Sequence, residues 1–151
     1  MRSRRKPQRA PFHDYCGAGT YHIIISTRSR RHVFGYVRGG CYHRTPLGSE
    51  VEEQWSNLGD LFEFVHPDVC VAMPDHFHGL LRVTKHDQGV HLNHIIKRFK
   101  GRTSHLATHY GVTWSLWQRH YWDVLIQHEA QHRSTRRYIE LNPQRWIART
   151  R

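Results

Sequence analysis

The sequence predicts an α+β domain, a ferredoxin-like antiparallel sheet with helices packed on one face. Three observations carry this. Apolar periods of two and of 3.6 residues alternate along the chain, in the order strand, short strand, helix, strand, strand, helix, strand, helix. Two of those strands are joined only by Met73-Pro74-Asp75, a connection so tight that they pair as neighbours. The length, 151 residues, is that of one domain with one core, and there is no internal repeat or long low-complexity linker.

Taken in order, residues 1–13 (MRSRRKPQRAPFH) read as a flexible basic arm, and residues 14–151 as a single domain. TYHIIIST, at 20–27, is β-branched and aromatic and reads as the first strand. RSRRHVFG follows as a basic loop, and CYHRT at 41–45 as a short edge strand. Pro46-Leu47-Gly48 is a turn. Ser49, with Glu52 three residues on, reads as a capping box that opens the first helix. Val51, Trp55, Leu58 and Phe62 form that helix's apolar stripe. Residues 68–73 and 76–83 are the two adjacent strands. A second helix spans about 90–109, burying Leu92, Ile95, Ile96, Phe99 and Leu106 and turning Lys97, Arg98, Lys100 and Arg102 to its other faces. Residues 113–127 begin with a turn and continue as an aromatic strand. A third helix at 129–141 ends near Asn142-Pro143, because a residue before proline is pushed out of the α region.

Charge is unevenly spread. Lys and Arg outnumber acids ten to one in residues 1–49 and eleven to three in residues 89–151, whereas residues 50–88 hold eight acids and two bases. The net charge of +11 predicts a polyanionic partner, most often nucleic acid. The acids cluster on or near the first helix, which places that helix away from a bound polyanion. No apolar run approaches the roughly 18 residues of a membrane span, and no signal-peptide core follows the basic N-terminus. The expectation is a cytoplasmic protein without a membrane partner. Cys16, Cys41 and Cys70 are too few and too dispersed for a disulfide scaffold or a cysteine zinc site.

The stretch MPDHFHGLL, from Met73 to Leu81, carries the first candidate chemistry. Residues i and i+2 of a strand share a face, so His76 and His78 point the same way, roughly 7 Å apart at Cβ, while Phe77 points into the core. Two neutral imidazoles so placed can chelate one divalent ion. In a chain with 15 histidines, though, one such pair is unsurprising by itself. The helical pairs His91/His94, His105/His109 and His128/His132 have no apparent third ligand, and none has the HExxH glutamate. The second candidate is RRYIELNPQRW, at 136–146. Tyr138 and Asn142 are one turn apart, among Arg136, Arg137 and Arg145. A tyrosine among arginines beside a polyanion can act as a nucleophile towards phosphate, provided that a cation stabilises its phenolate. The alternative is a ring packed on the sheet.

The order of MPDHFHGLL, IIKRFKGRTS, LWQRHYWDVLI and RRYIELNP resembles the single-tyrosine transposases of the HUH endonuclease superfamily, and most closely their REP-associated branch. The resemblance runs from about Tyr21 to Trp146. It implies an HUH endonuclease-like fold, His76 and His78 as the paired metal ligands, Tyr138 as nucleophile and Asn142 as a third ligand of Mg²⁺ or Mn²⁺. It implies DNA contacts from Lys97, Lys100 and Arg102; Arg98, Arg136 and Arg137 join these as basic neighbours. Asp75 stands where the family usually has Asn, and neither spacing nor resemblance gives it a role. The stretch between the HxH strand and the second helix is shorter than usual, which takes away room for a DNA-contacting loop.

The implied activity is metal-assisted nicking and joining of single-stranded, hairpin-bearing DNA through a 5′-phosphotyrosine link, which conserves the phosphodiester energy and needs no ATP. Lys and Arg would contact phosphates, and aromatic residues, 12% of the chain, offer stacking platforms. A homodimer, with each tyrosine serving the other subunit's histidines, is also compatible with the family. Two other readings stand beside this one. The first is a non-catalytic, domesticated hairpin-binding protein. The second is a relaxase or replication initiator, which usually carries other chain orders or extra domains.

Overall fold

The computed structural model describes residues 13–15, 17–85 and 88–150. The arm expected at 1–13 lies outside the described residues except for His13, whose ring is edge-on to Tyr21. In chain order the elements are β1 (Gly19–Ser26), a 3-10 turn (Arg28–Arg30), β2 (Gly35–Arg38), β3 (Cys41–Arg44), α1 (Pro46–Ser56), α2 (Leu58–Leu61), β4 (Val65–Met73), β5 (His76–Val83), α3 (Leu92–Thr108), β6 (Trp122–Ile126), α4 (Glu129–Glu140) and α5 (Asn142–Arg149).

The main sheet has the order β4-β5-β1-β6, with every pair antiparallel. β1, α1, β4, β5, α3 and β6 therefore make the βαββαβ arrangement that the sequence predicts. α1 and α3 cover one face. Their Val51, Trp55, Ile95, Ile96 and Phe99 pack with Tyr21, Ile23, Ile25, Phe77 and Leu81 of the strands into one buried core. Each such side chain contributes about 1.5–3 kcal/mol by leaving water. Trp55 sits at its centre, 5.2 Å from the rings of both Phe77 and Phe99. Gly79 makes that approach possible, because a Cβ there would come within 2.5 Å of the indole.

α4 lies on the opposite face, the face towards which β5 turns His76 and His78. The core there is thin: Val71, Met73, Leu80 and Ile139. The two faces differ because the strands present an unbroken apolar set to α1 and α3, whereas α4 buries Ile139 alone.

Several local expectations are revised. α1 begins earlier than a Ser49 cap would allow. Thr45 is the cap, its hydroxyl accepting from Gly48 N–H at 3.1 Å, and Pro46 occupies the first turn, where a missing N–H costs nothing. Glu52 is therefore no capping-box partner. Its Oε1 accepts from Ala72 N–H at 2.9 Å and pairs with Arg44 Nε at 2.7 Å. Residues 41–44 do not edge the main sheet but pair with β2 in a separate hairpin. From there the Tyr42 hydroxyl donates to Ala72 C=O, so both outward backbone groups of Ala72 on edge strand β4 are satisfied. α4 does end where expected, capped by Leu141 (φ −89°, ψ −2°), but proline is not the stop: Asn142 is already helical and Pro143 lies in the first turn of α5. Among the described residues no helix is long and apolar enough to cross a membrane.

Candidate active site

The site is built on the α4 face of the sheet. β5 alternates, sending Phe77, fully buried, into the main core and His76 and His78 to the other side. Ser26 of β1 lies opposite His76, and Ile24 opposite His78.

Each imidazole is held at its Nδ1. His76 Nδ1 is 2.6 Å from Asp75 Oδ1. The other oxygen of Asp75 pairs with Arg30 Nε at 2.9 Å, and Arg30 Nη1 donates to Ser26 Oγ at 2.6 Å. His78 Nδ1 is 2.9 Å from His22 Nε2, and those two rings stack at 5.2 Å. Burial pushes His78 down to about 2, helped by the neighbouring His76 and His22, and burial alone pushes His22 down to about 4. Both are neutral at physiological pH. Burial by itself would raise the Asp75 carboxyl, but the hydrogen bond with His76 and the charge of Arg30 outweigh it and hold the group below its usual value.

α4 brings Tyr138 over this pair. Its ring is edge-on to His78, with centroids 5.6 Å apart, and 6.2 Å from His22. Tyr138 remains 38% exposed, so its side chain is open to solvent. The Arg145 guanidinium, from α5, lies 4.7 Å from the centre of the Tyr138 ring. Asn142 is buried at the start of α5, and its Nδ2 donates to Tyr138 C=O at 3.1 Å. That bond fixes the amide and leaves Oδ1, the metal-binding atom of an amide, for another partner. Trp146 flanks the site, 6.1 Å from His76 and 5.7 Å from His32.

This donor set fits a divalent ion. His76 and His78 are held through Nδ1, which leaves Nε2 of each ring for a metal. Among the described residues no three His, Cys, Asp or Glu side chains form a metal cluster. A third protein ligand would have to be of another type, and Asn142 is a neutral amide on the same side of the sheet.

The sequence-predicted residues fall into two groups. His76, His78, Tyr138 and Asn142 belong to the α4 side. Lys97, Arg98 and Arg102 are exposed on α3, across the sheet from Tyr138. Arg102 Nε donates to Gln54 Oε1 at 2.9 Å. Lys100 turns inward, donating to the carbonyls of Gln118 at 2.7 Å and Arg119 at 3.2 Å. Arg136 pairs with Asp68 and Glu140, and Arg137 is exposed. Sequence reasoning missed His22, Arg30 and Trp146 and left Asp75 without a part. A period-two reading of YHIIIS would have put His22 on the histidine face, and that was the one available signal.

No family model matches the chain. A Haemophilus influenzae protein described only as uncharacterised is 25% identical over 161 residues, spanning 94% of this chain and 89% of that one. Among solved structures, a REP-associated tyrosine transposase bound to a REP hairpin superposes with a TM-score of 0.66 and 17% identity, covering 91% of this chain and 74% of its own. A candidate transposase from Deinococcus radiodurans superposes with a TM-score of 0.57 and 18% identity, covering 89% of this chain and 96% of its own. The likeness is one of fold: this chain has the architecture of those transposase structures, as its sequence motifs predict.

Proposed function

We propose that this chain nicks and rejoins single-stranded, hairpin-bearing DNA, with Tyr138 as nucleophile and a divalent ion, Mg²⁺ or Mn²⁺, held by His76, His78 and Asn142. The observation that carries the reading is the meeting of Tyr138 with His78, a phenol beside one imidazole of the HxH pair, on one face of one chain. A hairpin substrate is supported by the fold shared with a transposase bound to a REP hairpin.

When bound, the ion supplies positive charge to the scissile phosphate and polarises it. The chain's own residues do the rest. Tyr138 Oη forms a bond to phosphorus, the P–O3′ bond breaks, the phenol gives up its proton, and the leaving O3′ takes one up. The products are a 5′-phosphotyrosine link and a free 3′-hydroxyl. Attack by a 3′-hydroxyl on that link reverses the chemistry and joins strands. Arg145, beside the Tyr138 ring, favours the phenolate as it forms. The Asn142 bond to Tyr138 C=O ties the ligand to the nucleophile's own backbone.

The test is a labelled hairpin oligonucleotide incubated with the protein and Mn²⁺, then run on a denaturing gel. Wild type gives a covalent adduct and Tyr138→Phe gives none. An adduct formed equally by Tyr138→Phe removes the nucleophile assignment. Hairpin binding without any adduct favours the binding-module reading instead.

A further inference from the structure

Asp75 and His22 each occupy the Nδ1 of one histidine of the HxH pair, from opposite sides. We propose that they are positioning residues that fix the tautomer and aim of His76 and His78, so that both rings present Nε2 to one cation. The inference rests on the metal-site reading above and deepens it.

The Asp75 half follows from donor chemistry. An ionised carboxylate only accepts, so a ring nitrogen 2.6 Å from Asp75 Oδ1 must carry the proton. His76 is then protonated at Nδ1 and has its lone pair at Nε2. Asp75 is itself held from three directions. Its Oδ2 meets Arg30, and its carbonyl accepts from Thr27 N–H at 2.9 Å and from Thr27 Oγ1 at 3.0 Å. Arg30 reaches it from a strained corner. Ser29 and Arg30 both have left-handed backbones, with φ of 56° and 54°, which non-glycine residues rarely adopt. Two such residues in succession persist only where the surroundings impose them, and such strain clusters at functional sites. This corner sends Arg30 to both Asp75 and Ser26, the residue opposite His76.

In the His22 half, register supplies the contact and the proposal assigns its direction. His22 is two residues from Ile24, which lies opposite His78, so its ring meets His78 on the diagonal. An imidazole accepts at only one nitrogen. With His22 Nε2 accepting, His78 donates from Nδ1 and keeps its lone pair at Nε2, the same arrangement as His76. A phenylalanine would fill this buried position and pack as well, but it could not accept that proton.

Three variants and one spectrum test this on the full chain. Mn²⁺ affinity is measured by calorimetry, and folding by thermal melting. Asp75→Ala and His22→Phe are expected to lose roughly 10–100-fold in Mn²⁺ affinity, whereas Asp75→Asn, which keeps an oxygen acceptor, stays within about threefold of wild type. A turn-capping role alone would lower the melting temperature and leave Mn²⁺ affinity intact. Long-range ¹H–¹⁵N NMR of wild type is expected to show His76 protonated at Nδ1 in the metal-free protein, and His78 likewise once Mg²⁺ is added. Should a variant fail to fold, this spectrum decides. His76 protonated at Nε2, or wild-type Mn²⁺ affinity in folded Asp75→Ala and His22→Phe, overturns the inference alone. A wild-type protein that takes up no Mn²⁺ overturns the metal-site reading and this inference together.

Discussion

Tyr138 lies edge-on to His78, their ring centroids 5.6 Å apart, although α3 and β6 intervene between them in the chain. Neither side chain is forced there by a core: α4 buries only Ile139, and the apolar cluster beneath it is small. A surface so thinly packed, yet holding two buried histidines and a buried asparagine, is better explained by chemistry than by stability.

Arg145 offers a direct check on how Tyr138 is activated. It is exposed, so its loss leaves the fold intact, but its guanidinium faces the Tyr138 ring at 4.7 Å. Arg145→Ala is expected to slow adduct formation by roughly 5–30-fold, the equivalent of about 1–2 kcal/mol, with an unchanged melting temperature. Single-turnover kinetics on a labelled hairpin measure this, and an unchanged rate separates Arg145 from the chemistry.

Gly79 predicts a pure packing defect. A Cβ there would meet Trp55 at 2.5 Å inside the main core, on the face away from the histidines. Gly79→Ala is expected to destabilise the protein by about 1–3 kcal/mol, read by urea unfolding. A neutral result would mean that Trp55 has room to retreat.

The basic residues of α3 separate binding from folding. Lys97 and Arg98 are exposed, and each would lower the slope of hairpin affinity against salt by about one when changed to Ala, if DNA crosses this helix. Lys100→Ala behaves differently. Its ammonium holds the carbonyls of Gln118 and Arg119, so the melting temperature falls and the salt slope stays nearer wild type. Filter binding across a salt series, paired with thermal melts, distinguishes the two effects.

The thiols report local burial. Burial, reinforced by the nearby Glu52 charge and opposed by Arg44, raises Cys70 to about 12. At pH 8 its thiolate fraction is on the order of one part in ten thousand. Cys41 is exposed on β3. In a Cys16→Ser background, iodoacetamide at pH 8 is expected to label Cys41 rapidly and Cys70 only after denaturation, as peptide mass spectrometry would show. Rapid native labelling of Cys70 would mean that β4 and α1 part easily.

The sequence made legible what depends on local period. Alternation in HFHGLLRV places Phe77 in the core and both histidines opposite it, and Val51 and Trp55 of the first helix stripe and Leu92, Ile95, Ile96 and Phe99 of the second anticipate the packing of α1 and α3, whereas Leu58 falls in α2, Phe62 beyond it, and Leu106 is only half-buried. What escaped depends on long-range pairing or on proline's two uses. Residues 41–44 have edge-strand composition, but only the hairpin partner at 35–38 decides which sheet they join. Pro46 and Pro143 each begin a helix where a stop or turn is the equally local alternative. His22 gains its meaning from His78 across the sheet, and Asp75 from Arg30 on a left-handed corner that no propensity favours.

The proposed attack of Tyr138 on the phosphodiester leaves a covalent product that can be isolated. The most direct measurement traps the product: hairpin DNA is incubated with Mn²⁺ and the wild-type protein, the mixture is digested with protease and nuclease, and the nucleotide-bearing peptide is sequenced by mass spectrometry. A single modified peptide is expected, carrying a 5′-linked nucleotide on Tyr138. A nucleotide on any other residue, or linked through its 3′ end, would contradict it.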